Sequence, residues 1–245
     1  MAAPASDAGI FLHMVYDTMQ QMGLDCAAIF ASINLPDSPP DPNARRINSP
    51  QRRFWRSAEQ VSANPDIGLH VGERLPPFRG QVLEYLFLSS PTFGDGLQRA
   101  LRYRSLLTSA LPLSLRIEGE TAILAGLEHD TRHYIECATC ILLTFCRVLT
   151  DGEFTPSLIR FRHAQGATAE EYQRALGCPV LRNQEAGELH FPVSLLARPS
   201  PTAEPQLLAL HETLAEQRLA ELSRHEMVYR VERELGCNPP EKPAR

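Results

Sequence analysis

The apolar residues of this chain change their spacing partway along, and that change limits the folds open to it. Up to about residue 109 they recur every three or four positions. Ile10, Met14, Val15, Met19 and Met22 do so within 8–33, where Gly23 can stop one helix and 26–33 can form a second. Phe54, Trp55, Ala58 and Val61 do so after Ser49-Pro50, an N-cap followed by a first-turn proline, and Asn64-Pro65 ends that helix. Then Leu111, Leu113, Leu115 and Ile117 alternate with Pro112, Ser114 and Arg116, the period of a half-buried strand. Glu118-Gly119-Glu120 turns the chain, and 121–127 returns as an antiparallel partner. Alternation recurs at 158–163. A chain that is helical first and then mixes hairpins with helices folds as α+β. The expectation is a helical part (8–64) packed on a small antiparallel or mixed sheet with flanking helices (65–202), followed by a long C-terminal helix.

The punctuation between these stretches sets the remaining elements. Four prolines make 34–48 a loop, and three glycines with three prolines make 65–80 short extended pieces and turns. Residues 81–89 are apolar and read as a buried helix or a strand, with helix preferred, and Thr92 with Asp95 can cap a helix over about 93–109. Residues 132–149 form the most apolar helix, 168–176 a short one closed by Gly177. Short strands follow at 179–182 and 188–191, then a helical turn at 192–196. Pro199-Ser200-Pro201-Thr202 breaks the chain and caps a helix over about 203–223. The proline-rich end, 236–245, is expected to be disordered.

With 43% hydrophobic residues the bulk of the chain can bury a core and is not disordered. Its most apolar run, 137–146, is half the roughly 20 residues a membrane crossing needs. The first residues lack the basic and apolar regions of a secretory signal, so a cytoplasmic location with no membrane partner is expected. Six cysteines in 245 residues read as reduced thiols. A net charge of −5 disfavours direct grip on nucleic acid by this stretch of chain. Nucleotide-binding, nucleophile-elbow and zinc-protease motifs are all missing, so no enzyme is expected.

Several clusters could carry chemistry. His129, His133, Cys137 and Cys140 offer nitrogen and sulfur of the kind zinc takes. Spread over about 16 Å of one helix they cannot converge on one ion, so only two neighbours could serve, with further ligands from elsewhere. No cofactor or metal is expected; the alternative keeps His133 with Cys137 or His129 as ligands of a metal or haem. Cys137 and Cys140 also form C-x-x-C, but inside a helix, where small apolar filling is the plainer role. Arg160 and Arg162 share a strand face and Arg116 can sit beside them, either clamping a carboxylate or lining a solvated face. The C-terminal helix has two apolar stripes: Leu207, Leu210 and Leu214 on one, and Leu208, Ala215, Leu219 and Leu222 on the other. One stripe can pack on the body of the protein, and the other calls for a second copy or for burial on both sides.

The stretch PDIGLHVGERLPPFRGQVLEYLFLSSPTFGDGLQRALRYRSLL (65–107) resembles the effector-binding and dimerisation domain of AraC/XylS-type transcription regulators, in the arabinose-binding-domain-like branch. The resemblance continues through 176–212, where Gly177, Cys178, Pro179, Phe191, Pro192, Leu195, Leu196 and Pro199 match in order. It implies a sensor domain over 1–202 and a dimerisation or linker helix over 203–235. It also implies a homodimer, and DNA contact only through a C-terminal helix-turn-helix module that this chain does not contain. The implied partner is a small-molecule effector, anionic if the 158–163 arginines serve and apolar if the 132–149 helix lines the site. Arg79, Tyr103, His133, Tyr134 and Cys137 are the candidate effector contacts, and Leu207, Leu210 and Leu214 the candidate dimer contacts. An enzyme with a site assembled from distant residues is the remaining reading.

Overall fold

The structure, a computed structural model, describes residues 4–234. The tail expected over 236–245 lies outside them. The chain opens with β1 (Ser6–Ala8), α1 (Gly9–Gln21) and α2 (Cys26–Ala31), followed by β2 (Arg45–Ile47) and α3 (Gln51–Ser62). Next come α4 (Ile67–Arg74), α5 (Val82–Leu88) and α6 (Phe93–Arg102), with a 3-10 turn at Arg104–Leu106. The α+β half holds β3 (Ser114–Glu118), β4 (Thr121–Ala125), α7 (Arg132–Leu149), β5 (Leu158–Arg160), α8 (Ala169–Leu176), β6 (Val180–Leu181) and β7 (Glu188–Pro192). A second 3-10 turn, Val193–Ala197, leads to α9 (Pro205–Glu234). The expected α+β architecture is what these residues adopt.

β1 and β2 pair antiparallel, Asp7 opposite Arg46. The larger sheet has the order β3-β4-β7-β5-β6 and is antiparallel except for β5 beside β6, so it is mixed. α7 is the central helix. One side packs on the sheet, through Ile135, Cys140, Leu143 and Cys146. The other meets the N-terminal helices, where Tyr16, Phe30, Phe54 and Trp55 stack edge to face at 5.0 to 5.3 Å. Such ring pairs contribute roughly 0.5–1.5 kcal/mol each beyond their buried area. A third cluster joins α5 and Tyr103 to Ala215 of α9.

The local signals act as their chemistry dictates at several ends. Thr92 accepts from the Asp95 N–H and Thr168 from the Glu171 N–H, capping α6 and α8. Gly177 closes α8 at φ +81°. The structure corrects other expectations. Residues 67–74 are not turns but a buried helix. Gly68 and Gly72 stand one helical turn apart, and a Cβ on Gly68 would lie 2.4 Å from the His133 Cα. A Cβ on Gly72 would lie 2.9 Å from the Cys137 Cα. The glycines are contact points that let α4 and α7 touch backbone to backbone, not breakers. Two short strands also appear: β2 lies within the expected loop, and β1 ends at Ala8, the expected start of the first helix. α6 stops at Arg102 rather than 109. Ile117 is 57% exposed, because β3 is the sheet's edge and has nothing over that end. α9 runs to Glu234, beyond 223.

A candidate ligand-binding cavity beside the central helix

α7 has no glycine or proline over its 18 residues, so its cavity-facing side chains stand on a continuous rod. Cys137, Ile141 and Phe145 of that face form one wall of a cavity of about 930 Å³. α3 supplies Phe54 and Trp55, the segment after α6 supplies Leu107, and the β1–β2 ribbon closes the near end. The volume lies near the upper end of small-molecule sites, roughly 300–1,000 Å³.

Polar groups concentrate at the ribbon end. Asp7 is buried in a knot: Asn48 donates to Oδ2 at 2.6 Å, and Thr108 and Tyr134 donate to Oδ1 at 2.6 and 2.9 Å. Burial and the Asp7 carboxylate hold the Tyr134 phenol well above its ordinary pKa, so it stays a donor. His129 lies against the Tyr134 ring, with centroids 4.2 Å apart. Its Nε2 donates to Asn48 Oδ1 (2.6 Å) and its Nδ1 accepts from the Thr131 N–H (2.9 Å), which is the neutral tautomer. Burial lowers its pKa, in keeping with that form. Arg45 staples the ribbon by donating to Ser6 Oγ and to the Leu106 carbonyl at 2.9 and 3.0 Å. Two donors in the lining are buried without an acceptor among the described residues: Nε of Arg46 and Nε1 of Trp55.

Of the five expected effector contacts, Tyr134 and Cys137 stand in this wall. The other three lie elsewhere. His133 turns toward α3, with Nε2 3.0 Å from a Glu59 carboxylate oxygen. Tyr103 is buried under α9 and donates to Glu216 (3.3 Å). Arg79 is exposed, 3.8 Å from Glu84. The ribbon arginine and Trp55 were not anticipated. The one signal for the former was a pair of arginines, Arg45-Arg46, inside a proline-rich loop.

The sheet arginines do clamp a carboxylate, but it is the chain's own. Arg116 and Arg160 donate to the two oxygens of buried Glu188 at 2.7 and 3.2 Å, and His190 lies 2.7 Å from one of them. Burial opposes ionisation of Glu188, yet the hydrogen bonds from Arg116 and His190 outweigh it and hold the carboxyl below its ordinary value. Arg162 pairs with Glu128.

The His129–Cys140 stripe does not assemble, since His129 and His133 serve Asn48 and Glu59 while Cys140 Sγ faces the Leu69 carbonyl at 3.9 Å. Burial pushes the Cys137 thiol up to about 12, so C-x-x-C carries no ready thiolate. Among the described residues a different trio, His70, Glu73 and Glu171, brings metal-type donors within 4.8 Å of one another. Arg174 donates to both of its carboxylates, at 2.7 and 2.6 Å, and fills the place of a cation. The trio lies across α4 and α8, outside the cavity.

The family model described as the N-terminal arabinose-binding domain of AraC transcription regulators matches residues 23–200. The chain belongs to that family. An ornithine utilization regulator of Pseudomonas aeruginosa is 25% identical to this AraC-family domain over 240 residues, covering 95% of this chain and 71% of the regulator. The crystal structure of transcriptional regulator CdpR from Pseudomonas aeruginosa shares its fold, with a TM-score of 0.56 at 14% identity over 86% of this chain. The match spans 65% of CdpR, a little under two thirds of its length. These relatives are transcription regulators, and the AraC-family domain is a ligand-sensing regulatory domain. No helix among the described residues is long and apolar enough to cross a membrane.

Proposed function

We propose that this AraC-family domain binds a small effector in the cavity between α7, α3 and the β1–β2 ribbon, and passes its occupancy to α9. The observation that carries the reading is a cavity of about 930 Å³ running along the central helix of a ligand-sensing domain. The effector's body is apolar, because Cys137, Ile141 and Phe145 face it. The sheet arginines take no part, their charge being answered by Glu188. The relative's name ties that protein to ornithine utilization; ornithine is small and polar, and the walls here favour a larger, greasier molecule.

The route to α9 is short. Ala100 and Leu107 line the cavity and also pack on the cluster containing Ala215. A ligand that displaces them biases the seating of α9, so binding shifts the population of conformations rather than building a new one. On α9 itself, Leu208, Ala215 and Leu219 pack inward, while Leu207, Leu210 and Leu214 are 49%, 62% and 37% exposed. A second copy of the chain covers that outer stripe in a homodimer. In the intact regulator residues 1–202 sense, 203–235 link, and a helix-turn-helix module outside this chain contacts DNA in the cytoplasm. The domain catalyses nothing.

A thermal-shift screen of the 245-residue chain against apolar and polar metabolites tests the reading. A ligand at a hundred times its Kd adds about 2.7 kcal/mol to the folded state. The expected hit has an apolar body, and Ala138→Trp, which fills the cavity, abolishes its shift. A hit whose shift survives that substitution contradicts the site. Light scattering is expected to report a dimer that Leu210→Glu converts to monomer; a monomer before the substitution contradicts the interface.

A further inference from the structure

The cavity wall carries an imbalance that its apolar lining does not explain. Its charged residues are four arginines, Arg45, Arg46, Arg53 and Arg104, against a single aspartate, in a chain whose net charge is −5. The aspartate, Asp7, is already saturated by Asn48, Thr108 and Tyr134, so nothing there calls for a cationic ligand. Neither Arg46, Arg53 nor Arg104 meets a carboxylate among the described residues. The Nε of Arg46 is buried with no acceptor, and so is the indole N–H of Trp55, whose side chain is only 2% exposed. A buried donor left unpaired is costly, and native proteins rarely keep one without an occupant to satisfy it. A pure hydrocarbon brings no acceptor, and an amine would be repelled. A guanidinium matches the planar, two-oxygen geometry of a carboxylate.

We infer that the effector is an amphipathic carboxylate whose apolar body lies along α7 and whose carboxylate is held at Arg46, at the ribbon end of the cavity. This rests on the effector reading of the same cavity. Arg46 selects for the head group, and Trp55 offers a second N–H to an oxygen of the ligand. The α7 face sets how long and how branched the body can be.

The test is displacement of the uncharged fluorophore Nile red from the full 245-residue chain by dodecanoate, methyl dodecanoate, dodecanol and dodecylamine. Dodecanoate is expected to compete about tenfold more tightly than its methyl ester, as a charge-assisted hydrogen bond predicts, with the amine weakest. Arg46→Gln is expected to erase that gap by weakening dodecanoate alone, dodecanol binding being retained as proof of an intact cavity. If acid, ester and alcohol compete equally in the natural protein, the cavity reading stands and the carboxylate is overturned. If none of them displaces the dye, both are overturned. If Arg46→Gln binds dodecanoate as tightly as the natural protein does, the head group is held elsewhere and the assignment to Arg46 fails. Should that variant bind nothing at all, the ligand series on the natural protein decides.

Discussion

Arginines occur in two regions of this molecule and end up in opposite states. On the sheet, Arg116 and Arg160 converge on one buried carboxylate of the chain itself, Glu188. At the ribbon end of the cavity, Arg46 keeps a buried Nε with no acceptor. The first group is answered by an acid of the fold, although Arg160 Nε is itself buried without an acceptor among the described residues, and it holds strands β3, β5 and β7 together. The second meets no carboxylate among the described residues, the condition of a group kept for something that comes and goes. Both look alike in the sequence, as arginines near alternating or turn-rich segments. What separates them is whether the fold brings an acid to the same place.

The difference can be broken from either side. Glu188→Ala should produce the larger effect, about 2 kcal/mol of lost stability in urea unfolding, because two guanidiniums and His190 lose a shared acceptor. The half-exposed arginines recover some hydration and keep the loss below that of a fully buried pair. Its effector affinity should be unchanged; a large fall would mean that the sheet cluster belongs to the site. Arg46→Gln should do the reverse, altering unfolding by less than about 0.5 kcal/mol while weakening the anionic ligand. A large loss of stability there would show that Arg46 is a structural tie.

Acid should separate the regions by pH. The His129 pKa is lowered in the fold, so the unfolded chain takes up its proton first. Stability therefore falls as pH drops below the ordinary histidine value of about 6.5, through the knot at the cavity's end. Glu188 is also lowered, so its contribution is present above the unfolded carboxyl value and is lost only as pH falls through the lower folded one. Melting temperatures across this range should decline in two stages, and His129→Gln should shrink the first, the remainder belonging to half-buried His163, whose pKa burial also lowers. A single decline confined to the carboxylate range would contradict the assignment of His129 to the knot.

Much of the frame was legible. α7 is a long apolar run without a breaker, and Thr92, Thr168 and Gly177 end their helices through local bonds that need no knowledge of the rest of the fold. The failures share one cause, which is that long-range contact decided them. Gly68 and Gly72 look like breakers until α7 is placed against them. β1 and β2 are three residues each, too short to show a period, and are secured from afar by the Ala8 N–H donating to Leu107 O at 2.7 Å. The cavity followed the same rule. A step of one residue turns a helical side chain by about 100°, so His133 faces Glu59 while Tyr134 faces the cavity, which Cys137, one turn further along, also lines. Trp55 and Arg46 come to that space from segments far away in sequence, and no spacing announces it.

The most direct measurement is a crystal structure of the 245-residue chain grown with dodecanoate. The account predicts ligand density along Cys137, Ile141 and Phe145 with the carboxylate within hydrogen-bonding distance of Arg46. Density bound at the Glu188 cluster or on the outer surface, with the space beside α7 empty, would contradict it.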